Sequence, residues 1–325
     1  MSPFDLTAFQ AAHHGAAIFT LPGRTQIEIT GADRASFLHN FCTNHIKGLA
    51  VGQGCEAFLV NIKGRILFSV LVYAGPDSLW IETEAGQSAA LLAHLDRYII
   101  TEDVQLVDRT QELSQLYLCG ERAETLIAQT LSVDWNSIPK PGQTVVNGVM
   151  VRRHSFGPTP GVSLVGAASE IAALHELLVA AGAVAGSTEL WEALRIEAGT
   201  PRSGVDLTED HLAQEANRTK LAINFNKGCY LGQEPIARID ALGHVNRLLC
   251  GVITDEPAQL PAGTEVFAKL DATAPSGTLT STSVWPENLR AIGLGTIRRE
   301  LALDGAECFL GAERVPARVR VWSER

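Results

Sequence analysis

The chain has 325 residues, 46% of them apolar, with 36 acidic against 26 basic side chains and a net charge of −10. That length exceeds one ordinary hydrophobic core and predicts two or three domains, and the acidic balance excludes the broad cationic footprint that direct nucleic-acid binding needs. No run of about 18 apolar residues and no secretory leader pattern occurs, so no membrane span is expected, and six cysteines without a C-x-x-C pair are expected as free thiols in a reducing cytoplasm.

Taken in order, Ile18 to Ile29 reads as extended segments turning at Pro22-Gly23, and Asp33 is placed to cap a helix through Phe41. Glu56 to Asn61 and Ile66 to Tyr73 are β-rich runs about Lys63-Gly64, a hairpin signal. Leu79 to Thr83 is a third strand. Ser88 to Arg97 carries Leu91, Leu92 and Leu95 at helical spacing, and Val104 to Val107 closes the unit. Leu116 to Cys119, Val149 to His154 and Val162 to Val165 are strands of a second unit, with helices over Glu121 to Leu131 and Ser169 to Ala181. Helices beside antiparallel strands, twice over, predict the α+β class. Ser187 is placed to cap a helix through Ala198, and Leu221 to Phe225 reads as a short strand. After Leu248, short β runs separated by Gly, Pro and Asp predict a small C-terminal β-barrel.

The chemistry concentrates in Asn226 to Arg238. Asn226-Lys227-Gly228 is a turn, Gly232 a second break, and Pro235 suits the first turn of a helix that Gly243 follows. Cys229 falls in the turn between strand and helix, beside Lys227, a setting in which thiols become reactive. The plain alternative is a small cysteine buried in a tight turn. Lys227 and Arg238 are placed to hold a carboxylate or phosphate, Arg238 as a fork. Glu197 sits in the last turn of its helix, where the dipole disfavours an anion; its structural explanation is an ion pair with Arg195 or Arg202, or simple exposure. No H-x-x-x-H pattern, G-x-S-x-G elbow, P-loop or dinucleotide fingerprint occurs, and no metal site is expected.

The run K-G-C-Y-x-G-Q-E-x-x-A-R over Lys227 to Arg238 resembles the signature of the YgfZ family of folate-binding proteins, relatives of the glycine-cleavage T-protein (aminomethyltransferase). Further segments are similar to that family: Gly31-Ala32-Asp33-Arg34 through Thr43-Asn44, the hairpin Asn61-Ile62-Lys63-Gly64-Arg65, Arg195-Ile196-Glu197-Ala198-Gly199 with Pro201-Arg202, and Ser276 to Ser281. The resemblance implies three domains about a central channel. An α+β (ferredoxin-like) domain would span 1–48 and 115–200, a second 49–114 and 201–246, and a barrel 247–325. It implies tetrahydrofolate as ligand and a role in assembling or repairing iron–sulfur enzymes and, through them, in tRNA modification. Iron–sulfur client proteins or assembly factors are the expected partners. In that reading Glu197 accepts the pterin's paired N–H groups, and Lys227 or Arg238 lies near the folate tail. Asn61 and Lys63 approach the channel from the hairpin, and Tyr98 lies near the ligand. Tyr230 and Gln233 belong to the binding motif, and Cys229 is the reactive group. Trp191 is read as the anchor of its helix, with a place in the pocket wall as the alternative.

The resemblance also marks two departures. T-protein has a catalytic aspartate after its hairpin, where this chain has Phe68 and Ser69, and an acidic residue where it has Cys229. The expected activity is therefore folate-dependent support of iron–sulfur enzymes. A folate-dependent aminomethyl- or methyltransferase or demethylase is one alternative, and a non-catalytic folate-binding scaffold is the other.

Overall fold

A computed structural model describes residues 6–322. Helix α1 (Leu6–His14) and strand β1 (Ala17–Thr20) lead into β2 (Thr25–Thr30), α2 (Arg34–Phe41), β3 (Gly54–Val60), β4 (Ile66–Ala74), β5 (Leu79–Thr83), α3 (Ser88–Asp96) and β6 (Gln105–Asp108). Next come β7 (Ser114–Cys119), α4 (Ala123–Leu131), β8 (Gly142–Val146), β9 (Val149–Arg153), β10 (Gly161–Gly166), α5 (Ala168–Ala180), β11 (Val184–Ala185) and α6 (Thr188–Glu197). The last part holds α7 (Thr219–Ala222), α8 (Gln233–Leu242), β12 (Arg247–Pro257), β13 (Glu265–Phe267), β14 (Gly277–Val284), β15 (Arg290–Arg298), β16 (Glu307–Leu310) and β17 (Val315–Arg320). One sheet has the order β11-β1-β7-β10-β9-β8, a second β3-β4-β5-β2-β6, and β12-β15-β14-β13-β16-β17 close a barrel. The α+β class with a C-terminal barrel is the architecture observed.

Strand alternation explains how the sheets stack. In β4, Phe68, Val70, Val72 and Ala74 pack with Phe37 and Leu38 of α2 and Leu91 and Leu95 of α3. Leu71 and Tyr73 point the other way and pack with Phe19 and Tyr117 of the first sheet. In β7, Leu116 and Leu118 face Ile127 of α4 and Ile171 of α5, while Tyr117 and Cys119 join the core between the sheets. The layers therefore run helix, sheet, sheet, helix. The barrel is seated against α6, where Ile292 and Leu294 pack on Ala193 and Ile196. Among the described residues no helix is long and apolar enough to cross a membrane.

Three expectations are corrected here. The division at residue 48 moves to the segment before Thr25, because β2 pairs with β5 (Ile27 opposite Ile81) and β6 (Ile29 opposite Leu106) in the second sheet. Asp33 makes no side-chain cap on α2; its Oδ2 accepts the Asp103 amide at 2.9 Å instead. Leu221 to Phe225 is not a strand. The Leu221 and Ala222 amides donate to the Arg218 carbonyl at 3.1 and 2.9 Å, closing one helical turn. Ala222 and Ile223 are buried there without sheet pairing, so a short apolar run did not require a strand.

Candidate functional site

Between the two sheets and α6 lie two adjoining cavities of about 220 and 460 Å³. Glu56, His154, Thr200 and Arg218 line both, so they stand where the two meet. Together the cavities reach the size of ordinary small-ligand sites. The smaller takes one wall from α6, whose Thr188, Trp191, Glu192 and Arg195 recur at i, i+3, i+4 and i+7 on a single helical face. Ser187 starts that helix by accepting the Leu190 amide at 3.2 Å. Ser69 and Leu71 of β4, Glu82 of β5 and Phe156 form facing walls. The larger cavity extends past Lys140, Ser155, Thr159 and Asn217.

These walls are charged. Glu82 has a fully buried side chain that takes Arg24 Nε at 2.7 Å and Arg152 Nη1 at 2.8 Å. Burial pushes its pKa up, but the two guanidiniums and hydrogen bonds from Gln115 and Arg24 hold it at about 2. Glu56 accepts a fork from Arg218, Nε to Oε2 at 2.7 Å and Nη2 to Oε1 at 2.6 Å. Burial opposes ionisation there too, yet Arg218 keeps the carboxyl below its usual range. Arg195 is buried and donates to Asp206 Oδ2 at 3.0 Å, to Ser281 Oγ at 2.7 Å, and to Glu192. Arg202 stands 3.7 Å from Glu192, and its Nε is buried without a hydrogen-bond partner. Phe156 and Trp191 supply an aromatic corner, ring centroids 5.9 Å apart and near perpendicular, with Arg24 4.8 Å above Phe156. Flat apolar faces, ionised carboxylates and guanidinium donors together suit a polar heteroaromatic ligand.

Neither cavity is lined by any of the nine residues expected at the site. Lys227 is buried, and its ammonium donates to the carbonyls of His39, Cys42 and Asn44 at 2.5, 2.6 and 2.9 Å, 4.6 Å above the Tyr230 ring. All three N–H groups are used, so the expected hold on a folate tail is corrected. Lys227 covers the carboxyl end of α2, where carbonyls lack amide partners and the dipole favours a cation. Cys229 is exposed and free. Gly232 has φ +80°, and a Cβ there would meet the Asn61 carbonyl oxygen at 2.3 Å. A Cβ on Gly64 would meet Pro235 and Ile236 at 3.1 Å, so hairpin and motif are packed against each other. Asn61 folds over its own turn, accepting the Lys63 and Arg65 amides and donating to Glu209 Oε1 at 2.9 Å. Lys63 is exposed at the tip; Gln233 and Arg238 lie on α8, Arg238 exposed.

Tyr98 is corrected from ligand contact to packing: it stacks on Phe41 at 4.5 Å within the core of the second sheet. Glu197 lies two residues past Arg195, about 200° around α6 and so off the cavity face. Its Oε1 is 3.1 Å from His13 Nε2, a hydrogen bond that raises the His13 pKa, and it borders a separate hollow of about 30 Å³. Its structural partner is thus His13, while Arg195 and Arg202 face Glu192. Trp191 does both things weighed for it, packing edge-on to Tyr117 at 4.9 Å and lining the smaller cavity.

Sequence reasoning missed Glu56, Glu82, Glu192, His154 and Arg218. Two signals were available. Glu56 and Glu82 are charged side chains set into β-rich runs, and the polar residues of α6 repeat with helical spacing.

A model of the family described as the GCVT N-terminal domain matches residues 4–227. A protein of Arabidopsis thaliana named as a chloroplastic transferase is 27% identical over 318 residues, covering 95% of this chain and 71% of that one. An aminomethyltransferase of Herpetosiphon aurantiacus is 28% identical over 245 residues, 74% of this chain and 68% of its own. The crystal structure of the glycine cleavage system aminomethyltransferase T from Bartonella henselae matches with a TM-score of 0.85. That match covers 98% of this chain and 88% of that one at 20% identity, a likeness of fold.

Proposed function

Because the chain belongs to the GCVT N-terminal domain family, we propose that it is a folate-dependent, aminomethyltransferase-like protein that binds tetrahydrofolate in the paired cavities. One observation carries this reading: an aromatic-cornered, charge-lined space where both sheets and α6 meet. The residues present fit the ligand. Trp191 and Phe156 offer flat faces to a pterin, Glu192 offers a carboxylate to its N–H groups, and Arg202 has a guanidinium nitrogen without a partner. A reduced folate supplies the nitrogen that carries a one-carbon unit; the protein's own part is to bind, orient and shield it. Isothermal titration with tetrahydrofolate tests the reading. Saturable heat that Trp191→Ala diminishes supports it, and absence of heat overturns it. Formation of methylene-tetrahydrofolate from glycine-derived or N-methyl substrates separates a transferase from a binding scaffold.

A second reading, support of iron–sulfur enzymes, is favoured by the placement of Cys229. Its thiol is exposed on a turn anchored by Lys227 and lies off both cavities. A partner protein can reach such a thiol, whereas a folate held between the sheets does not meet it. In this reading the thiol and the folate occupy two separate places. Phe68 and Ser69 also supply no carboxylate at the position where T-protein relatives are expected to have one. In cells, Cys229→Ala is expected to lower iron–sulfur enzyme activity without changing tetrahydrofolate affinity; unchanged activity removes this reading.

A further inference from the structure

At the junction of the cavities, Glu56 and Arg218 hold each other, and Thr200 Oγ1 donates to the Phe156 carbonyl at 2.7 Å. The side chain of His154, which directly follows β9, makes no hydrogen bond to the described residues, though only 8% of the residue is exposed. Its Nε2 is 4.0 Å from Glu56 Oε1, beyond hydrogen-bond reach, and its ring stands edge-on to Phe156 at 4.8 Å. Its ring nitrogens are not sealed in protein but open to the two cavities that the residue lines, and a ligand held there is the partner they can take.

We propose that His154 is the specificity-determining residue of the site, pairing with one polar edge of the heteroaromatic ring bound in the joined cavities. The inference rests on the folate reading above. Four charged groups bear on the imidazole: Glu56 from β3, Glu82 from β5, Arg24 from the segment between the sheets and Arg218 from beside α7. Burial outweighs the two carboxylates and, with the two guanidiniums, lowers the His154 pKa to about 4. At neutral pH the ring therefore presents one N–H donor and one bare nitrogen acceptor. A carboxylate at this spot would compete with Glu56 for Arg218, and a cation would be repelled by Arg218. An amide-like ring edge, which carries both a donor and an acceptor, can pair with whichever imidazole nitrogen faces it, while a ring lacking such an edge would leave that nitrogen without a partner in the complex.

Calorimetric titration with tetrahydrofolate of wild type, His154→Gln and His154→Phe tests the inference, together with NMR of nitrogen-15-labelled imidazoles. Gln keeps a donor and an acceptor, and Phe keeps only the flat shape. His154→Phe is expected to bind about tenfold more weakly, the reach of one buried neutral hydrogen bond, and His154→Gln within about threefold of wild type. One neutral-imidazole resonance, missing from both variants, is expected to shift when folate is added. Equal affinity of His154→Phe and wild type, or a resonance that stays put while folate binds, overturns the proposal. Should His154→Phe fail to fold, the Gln variant and the wild-type resonance still decide. Wild-type protein that takes up no tetrahydrofolate overturns the folate reading itself and this inference with it, an outcome distinct from loss confined to the variants.

Discussion

Lys227 shows how one ammonium completes a fold. The carbonyls of His39, Cys42 and Asn44 converge where α2 ends, and no amide of the helix reaches them. Burial lowers the pKa of Lys227, a cost that the three charge-assisted hydrogen bonds and the Tyr230 face offset. Lys227→Met keeps the length of the side chain and removes the donors. The expected loss is about 2–4 kcal/mol, from carbonyls left buried and unsatisfied. It is read as a lower urea midpoint, with tetrahydrofolate affinity kept in the folded fraction because Lys227 lies off the cavities. A midpoint equal to wild type would refute the capping role. The cation, its glycine and its aromatic neighbour are all legible in the chain. The carbonyls they serve lie 183 to 188 positions earlier, and no local pattern connects the two.

Elements carry the next level of information. Hairpin strands β3 and β4, the Ser187 cap of α6 and the Pro235 start of α8 follow from turn chemistry and periodicity, and each was legible. Which side of α6 meets the ligand space was not. Glu197 drew notice for its place in the last turn, yet the cavity face is set by Thr188, Trp191, Glu192 and Arg195, because the apolar side chains of α6 must face two cores. Gly232 was legible as a break but not as a contact. Its φ of +80° and the 2.3 Å approach of the Asn61 carbonyl to any Cβ mean that α8 starts only if the residue there has no side chain. Gly232→Ala is therefore expected to destabilise by about 2–4 kcal/mol, left-handed strain plus a clash with backbone that cannot swing away. Urea unfolding measures it, and hydrogen exchange should show the Asn61–Gly64 amides opening first. A stable variant with unchanged exchange there would mean that the hairpin and α8 do not depend on this contact.

At the scale of the whole molecule, the class and the barrel are legible because they arise from local alternation and turn spacing. The smaller cavity is not, because its walls come from residues 20–24, 56, 69–71, 82–84, 154–156, 188–203 and 218, brought together only by sheet stacking. That stacking has a charged centre. Glu82 of the second sheet meets Arg152 of the first at 2.8 Å, Gln26 and Gln115 bond across at 3.1 Å, and Gln115 reaches Glu82 at 3.0 Å. The Glu82 carboxylate thus bridges Arg24 and Arg152 between two apolar layers, with Glu84 a second, longer partner of Arg24 at 3.7 Å. Glu82→Gln leaves Arg152 buried without a carboxylate partner among the described residues and Arg24 with Glu84 alone, and is expected to cost about 3–5 kcal/mol at neutral pH. The pH dependence follows from linkage. A carboxyl whose folded pKa is about 2, below the value of 4.5 it has when free, binds fewer protons folded than unfolded between those values. Its stabilisation is full above about pH 4.5 and is lost as pH falls towards 2. Wild type and Glu82→Gln should therefore differ most at neutral pH and converge in acid, as protonation makes Glu82 resemble glutamine. Urea unfolding of both proteins from pH 7 down to pH 2.5 measures the gap. A gap that stays constant over that range would show that the two sheets are held together by packing rather than by this ion.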